Sequence, residues 1–273
     1  MQATMSTKST AKMSARQRAA LDELVHLHAV DPRKIALIIC GSLATGKARD
    51  SSDVDLYLVV NEPELERTRS KEGCFYGSWD PKKFSGIEID GKIVSKRFLE
   101  EAAERGSEPT RASFEDAYTE FSKDAEIEGL IERIAAYPES ERAAKIKAFY
   151  AYLKHYRYLG EQAFELGNEY FTRRCVLELV FFASRLALAH NRVLFPCHKS
   201  LFAALERCED LPLGFVSASR RLLAEPSAAA TIDYYEKVSN HYGRYDYPDQ
   251  ERISFILENE WSWFSGLPSP GVL

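Results

Sequence analysis

The sequence predicts an α+β protein in two parts, a small mixed sheet with flanking helices followed by an all-helical bundle. Three observations carry this. Two short β-branched runs, 35–40 and 54–60, bracket a Gly- and Ser-containing turn. A third strand-like segment, 87–94, alternates apolar and polar residues. Beyond it the apolar residues recur at steps of three and four, the period of helices. The expected division is a disordered tail at 1–14, a sheet-bearing domain at 15–122, a bundle at 123–265 and a tail at 266–273.

Taken in order, residues 15–30 read as an amphipathic helix with Leu21, Leu24 and Leu27 on its apolar side. Ile35 to Cys40 has the length and branching of a buried strand and stops at Gly41-Ser42, where a small residue permits a tight turn. Val54, Leu56, Leu58 and Val60 give the next strand its apolar surface. The stretch 61–86 is charged, then rich in Gly and aromatics (Gly73-Cys74-Phe75-Tyr76-Gly77-Ser78-Trp79), and is expected to hold a helix and a mobile loop, a candidate flap over a site. After the strand at 87–94, Ser95 is placed to cap a helix over 96–105, and Gly106-Ser107-Glu108-Pro109 to open another from about Thr110 to Phe121. Ile146, Phe149, Leu153 and Tyr156 mark one long helix; Val176, Leu177, Val180, Phe181 and Leu186 mark a second. Pro196, Pro212 and Pro226 punctuate the bundle, whose last helix is expected to end near Trp261-Ser262-Trp263-Phe264.

The chemistry concentrates between Cys40 and Val60. Backbone N–H groups at a turn that opens a helix form a site for anions, and the Ser42 hydroxyl adds a donor for a phosphate oxygen. Asp53 and Asp55 are two residues apart on a strand, so both carboxylates leave the same face. Adjacent carboxylates repel unless a cation lies between them. Hard oxygen ligands suit magnesium, which takes one or two carboxylates and completes its octahedron with water and substrate phosphates.

The string Gly41-Ser42-x-Ala44-x-Gly46, five residues, then Ser52-Asp53-x-Asp55 resembles the signature of the nucleotidyltransferase superfamily with the DNA polymerase β fold, which includes the antibiotic and the minimal nucleotidyltransferases. The resemblance implies that Gly41 and Ser42 bind the triphosphate. It also implies that the Asp pair holds two Mg2+ ions, with an NTP, most often ATP, as co-substrate and pyrophosphate as the leaving group. A third carboxylate normally comes from a neighbouring strand. In Ile87-Glu88-Ile89-Asp90-Gly91-Lys92-Ile93-Val94, residues Glu88, Asp90 and Lys92 share one face, and Asp90 is our choice as third catalytic and metal-binding carboxylate. Glu88 is the alternative, and Asp90-Gly91 also reads as a hairpin turn. Two positions depart from the pattern. Leu43 and Thr45 stand where many minimal nucleotidyltransferases have arginines, and Lys47 and Arg49 are nearby cations that either compensate or simply face solvent.

The layout, a nucleotidyltransferase head before a helical bundle, is similar to that of the kanamycin nucleotidyltransferases, and implies transfer of a nucleoside monophosphate, AMP first, to a small-molecule hydroxyl such as that of an aminoglycoside. Transfer to a protein or an RNA end is the second reading. A non-catalytic nucleotide-sensing or interaction protein is the third. Lys154 and Arg111 are candidate cations for the triphosphate, and Tyr234, Tyr235, Tyr242, Tyr245 and Tyr247 form a stretch that either stacks on a ligand or packs inside.

Composition narrows the partners. A net charge of −5 argues against a large non-specific nucleic-acid surface. No run of about 18 apolar residues offers a membrane span. The five cysteines form no Cys-x-x-Cys, and His26 and His28 point to different sides of a helix, so no zinc site is expected and the thiols read as reduced and cytoplasmic. The sequence leaves a homodimer open.

Overall fold

A computed structural model describes residues 13–71, 73–243, 253, 256–257 and 260–266. The chain folds as two compact units, Met1–Ala136 and Tyr137–Leu273.

The first unit is built on a mixed five-stranded sheet of order β3-β4-β2-β1-β5. β1 (Lys34–Cys40) runs antiparallel to β2 (Val54–Val60) and to β5 (Tyr118–Ser122). β4 (Ile89–Ser95) runs parallel to β2 and antiparallel to the short edge strand β3 (Phe75–Ser78). Side-chain alternation sorts the strands into two apolar faces. On one, Leu37, Ile39, Leu56, Leu58, Ile89 and Ile93 pack with Ala20, Leu21 and Leu24 of α1 (Ala15–Ala29). On the other, Ala36, Ile38, Cys40, Tyr57, Val59 and Val94 pack with Leu99 and Ala102 of α4 (Lys96–Arg105) and Ile127, Leu130, Ile131 and Ile134 of α6 (Ile127–Ala135). Three shorter helices complete the unit: α2 (Gly41–Ala44), α3 (Glu62–Lys71) and α5 (Glu108–Ala112).

Several expectations change. The helix expected over 110–121 is only α5, and the chain then re-enters the sheet as β5. Tyr118, Thr119 and Phe121 are all buried there, and Arg18 of α1 grips Glu120 through two 2.9 Å hydrogen bonds. The loop expected around Phe75 is strand β3. Asp90-Gly91 lies inside β4, so it is not a hairpin turn. Ser95 does precede α4, without a side-chain capping bond. The units divide after Ala136, later than the boundary expected at 122/123, because the apolar side of α6 belongs to the sheet's second face. Residues 1–12 and 267–273 of the expected tails lie outside the described residues. Ser14, also assigned to the first tail, instead caps α1, accepting from Gln17 N while Gln17 Oε1 accepts from Ser14 N.

The second unit is helical: α7 (Glu139–Glu165), α8 (Glu169–His190), α9 (Leu201–Leu205), α10 (Phe215–Ala224) and α11 (Ala228–Tyr242). Its core gathers Ile146, Tyr150 and Leu153 with Leu179, Ala183, Leu186, Phe215, Leu222 and Val238. Asn168 caps α8 by accepting from Phe171 N, and Ser227, after Pro226, caps α11 by accepting from Ala230 N. Leu177, expected on the apolar stripe of α8, is exposed. Ser262–Ser265 form a 3-10 turn; most of the expected last helix lies outside the described residues. No described helix is long and apolar enough to cross a membrane.

Candidate active site

Strand register sets two of the three expected carboxylates, Asp55 and Asp90, side by side. Cys40 pairs with Asp55 across the antiparallel β1–β2 ladder, Asp55 with Asp90 across the parallel β2–β4 ladder, and Asp90 with Gly77 across β4–β3. Cys40, Asp55, Asp90 and Gly77 therefore form one row across the sheet, about 4.8 Å per step. Asp53 precedes β2 by one residue and extends the Asp55 side, while Val54 N donates to Glu88 O at 2.9 Å, so Glu88 stands at the level of Asp53 rather than Asp55. Asp53, Glu88 and Asp90 are exposed and Asp55 is half-buried. The Cys40 thiol registers the same charges. Burial, then the Asp55 carboxylate, with Asp90 adding and Lys92 opposing, pushes its pKa up to about 12, so it stays protonated and is no nucleophile.

Gly41 and Ser42 turn out of β1 beside this row. Gly41 has φ +65°, and a Cβ on it would fall 2.0 Å from Asp55 Oδ2. Both facts demand glycine. Ser42 Oγ is buried without a hydrogen-bond partner, and a buried hydroxyl left unpaired costs free energy until a ligand pairs it. α2 itself is closed by Thr45 N to Gly41 O at 3.1 Å and Lys47 N to Ser42 O at 3.0 Å. Leu43 is buried in one core cluster with Ala20, Leu21 and Leu24 of α1, which leaves no room for a cation there.

Carboxylate oxygens of this kind are the ligands that a hard cation such as magnesium would take. Among the described residues no group of three or more His, Cys, Asp or Glu side chains converges into a metal cage. An ion that takes only one or two carboxylates and fills its octahedron with water and substrate phosphates does not need one. Asp55 facing Asp90, with an unpaired Ser42 hydroxyl alongside, suits such an ion arriving with a triphosphate.

One supporting residue escaped the sequence reading. Gln17 is buried, and its Nε2 donates to Arg49 O at 2.9 Å and to Ser52 O at 3.1 Å. It thereby pins the loop that carries the chain from Gly46 to Asp53. The available signal was the Ser14-x-x-Gln17 capping box, which identifies a helix start but not this second task. Lys92, exposed, holds its ammonium 5.2 Å from the ring centroid of Tyr57, its register partner. Arg111 is structural. Its guanidinium is buried and donates to the carbonyls of Gly106, Ala103, Ile134 and Ala136. Lys154 Nζ lies 6.0 Å from the Tyr150 ring of its own helix. Tyr234 and Tyr242 are core residues, and Tyr245 and Tyr247 lie outside the described residues.

Residues 18–140, less than half of the chain, match the family model described as nucleotidyltransferase domain. Among solved structures, the chain is similar to a nucleotidyltransferase-like protein from Exiguobacterium sibiricum, with a TM-score of 0.51 and 13% identity over 89% of this chain and 78% of that one, a likeness of fold. No curated protein matches the chain.

Proposed function

We propose that this protein is a magnesium-dependent nucleotidyltransferase that moves a nucleoside monophosphate, AMP from ATP first among the choices, to a hydroxyl of a small molecule. The observation that carries the reading is the pairing of Asp55 with Asp90 beside a buried, unpaired Ser42 hydroxyl. Ser42 Oγ–H donates to a phosphate oxygen, and Gly41, lacking a side chain, lets Asp55 sit against the turn. Asp53, Asp55 and Asp90 would hold the cation. Magnesium, when bound with the nucleotide, neutralises the phosphoryl oxygens and sharpens the electrophile. The acceptor oxygen forms a bond to the α-phosphorus as the bond to the bridging oxygen breaks. Pyrophosphate departs, and Asp90 takes the hydroxyl proton.

The test is transfer of α-labelled nucleotides, with magnesium, to a panel of aminoglycosides, lincosamides and small RNAs, comparing wild type with Asp53→Asn. Labelled small-molecule product that vanishes in the variant is the expected result. Label on RNA alone, or equal label from the variant, overturns the proposal.

A further inference from the structure

The row Cys40–Asp55–Asp90–Gly77 ends on β3, at a feature that the transfer chemistry leaves unused. Phe75 and Trp79 flank Gly77 on the strand face of Asp90 and lean toward each other, with ring centroids 5.6 Å apart and planes within 15°. A Cβ on Gly77 would fall 2.3 Å from Phe75 Cε1 and 2.9 Å from Trp79 Cη2. The two rings meet in the space that a missing side chain leaves. They are nonetheless 47% and 63% exposed, whereas Tyr76 between them turns to the opposite face and hydrogen-bonds His28 at 2.8 Å. Two large aromatic side chains stacked on each other rather than in the core leave a flat outer ring face exposed one strand from a carboxylate. Such a surface costs solvation free energy unless something covers it.

The stereochemistry of transfer says which substrate would cover it. In an in-line displacement the attacking oxygen approaches opposite the leaving pyrophosphate. Gly41 and Ser42 stand at the β1 end of the row, and Gly77 stands at the β3 end, beyond Asp90. With pyrophosphate leaving toward Ser42, the acceptor lies over Asp90 and β3. We infer that Phe75 and Trp79 form the acceptor subsite and take a saturated, hydroxylated ring of saccharide type. Its apolar C–H face lies on the exposed ring face, and a hydroxyl on its rim faces Asp90. One flat apolar surface beside one carboxylate is the complement of a molecule with an apolar face and a polar rim. The inference rests on the nucleotidyl-transfer reading for the direction of approach.

The experiment uses the intact protein and the variants Phe75→Ala, Trp79→Ala and Trp79→Phe, each first checked for an unchanged melting temperature. Calorimetric titration with kanamycin as the ring-bearing probe, spermidine as a ring-free polyamine and magnesium-ATP gives three affinities for each. The expected result is kanamycin binding weakened about tenfold in both alanine variants and largely restored in Trp79→Phe, with spermidine and ATP binding unchanged. Kanamycin affinity indifferent to both alanine changes, or no kanamycin binding by wild type, overturns the subsite. Loss of ATP affinity in its place marks the ring pair as a nucleobase platform and overturns it as well. Label transfer, followed separately, distinguishes the two failures: a ring bound through Phe75 and Trp79 without transfer sinks the catalytic reading alone, and transfer with an unmoved acceptor KM in the variants sinks the subsite alone.

Discussion

The side chain of Asp55 occupies the place where Gly41 would carry a Cβ: the ideal position lies 2.0 Å from Asp55 Oδ2 and 2.9 Å from Asp55 Cβ. Gly41→Ala cannot be accommodated by moving a flexible side-chain end, because Asp55 is held by strand register on both sides. The substitution adds a backbone cost of about 1–2 kcal/mol at φ +65° to an overpacking cost of about 1–3 kcal/mol. Gly41→Ala should therefore lower the denaturation midpoint and abolish transfer even where the fold survives. A variant with wild-type turnover would show that Asp55 need not stay where it is.

The parallel register separates Asp90 from its rival. Asp90 faces Asp55, whereas Glu88 stands at the level of Asp53, outside the paired row. Asp90→Asn should reduce kcat by several orders of magnitude with little change in stability, since the side chain is exposed. Glu88→Gln should leave kcat within a few-fold of wild type. Reversed outcomes in a steady-state comparison of the two variants would reassign the third carboxylate.

Gln17 links a helix start to the loop that leads into Asp53. Its amide spends Oε1 on Ser14 N and Nε2 on the carbonyls of Arg49 and Ser52. Gln17→Ala takes this donor from the Arg49 and Ser52 carbonyls, a loss of about 0.5–1.5 kcal/mol per hydrogen bond. It also loosens the approach to Asp53. The expected signature is a lowered melting temperature together with weakened magnesium-ATP binding. Gln17→Glu, which keeps the capping acceptor but not the donor, should reproduce the second effect more than the first.

Glu64 is a buried carboxylate at the start of α3, paired with Lys34 at 2.7 Å, Arg67 at 2.8 Å and Arg33 at 3.2 Å. The Arg67 hydrogen bonds first, then that of Lys34, hold its pKa down to about 2, below the ordinary 4.5. Its folded-state pKa is depressed, so its stabilisation is complete above about 4.5 and is lost as the pH falls toward 2. With two of the three cations half-exposed to solvent, Glu64→Gln should cost about 1–3 kcal/mol near neutrality. The same change should flatten the acid limb of the stability curve in urea titrations. An unchanged acid limb would transfer the effect to other carboxylates.

Much of the first unit can be read from local pattern. β1 and β2 are apolar runs of strand length, Asp53 and Asp55 share a face by simple alternation, and the Gly41-Ser42 turn follows from residue type. What escaped was non-local or short. β5 lies where a helix over 110–121 was expected, because only five residues carry its pattern and its burial comes from β1 and α1. β3 has four residues with a glycine among them, too few for periodicity to register. Arg111 looked like a free cation at a helix start because nothing local reveals the four carbonyls that meet its guanidinium. The direct facing of Asp55 and Asp90 depends on a parallel ladder between strands separated by α3 and β3, and no spacing along the chain encodes it.

His28 ties the edge strand to the body of the first unit. Its Nε2 lies 2.8 Å from the hydroxyl of Tyr76, which sits between Phe75 and Gly77 on β3. Burial, with help from Lys34 and against Asp31, lowers the His28 pKa from 6.5 to about 4, and burial raises that of Tyr76 to about 12. At neutral pH both groups are uncharged, and one hydrogen bond joins the hydroxyl to the imidazole. Between about 6.5 and 4 the unfolded chain binds a proton at this position that the folded chain does not, so stability falls as the pH drops through that window. This slope lies above the Glu64 window and can be read separately from it. His28→Gln keeps an acceptor for Tyr76 but does not titrate, and should remove the slope between 6.5 and 4 while leaving the lower limb in place. Opening of β3 should follow the same proton. Amide hydrogen exchange at Ile93 N, which donates to Cys74 O at 2.8 Å where the edge strand begins, should accelerate on acidification in wild type beyond the change in intrinsic rate, and should not in His28→Gln. Equal acceleration in both proteins would mean that β3 is held by its ladder alone.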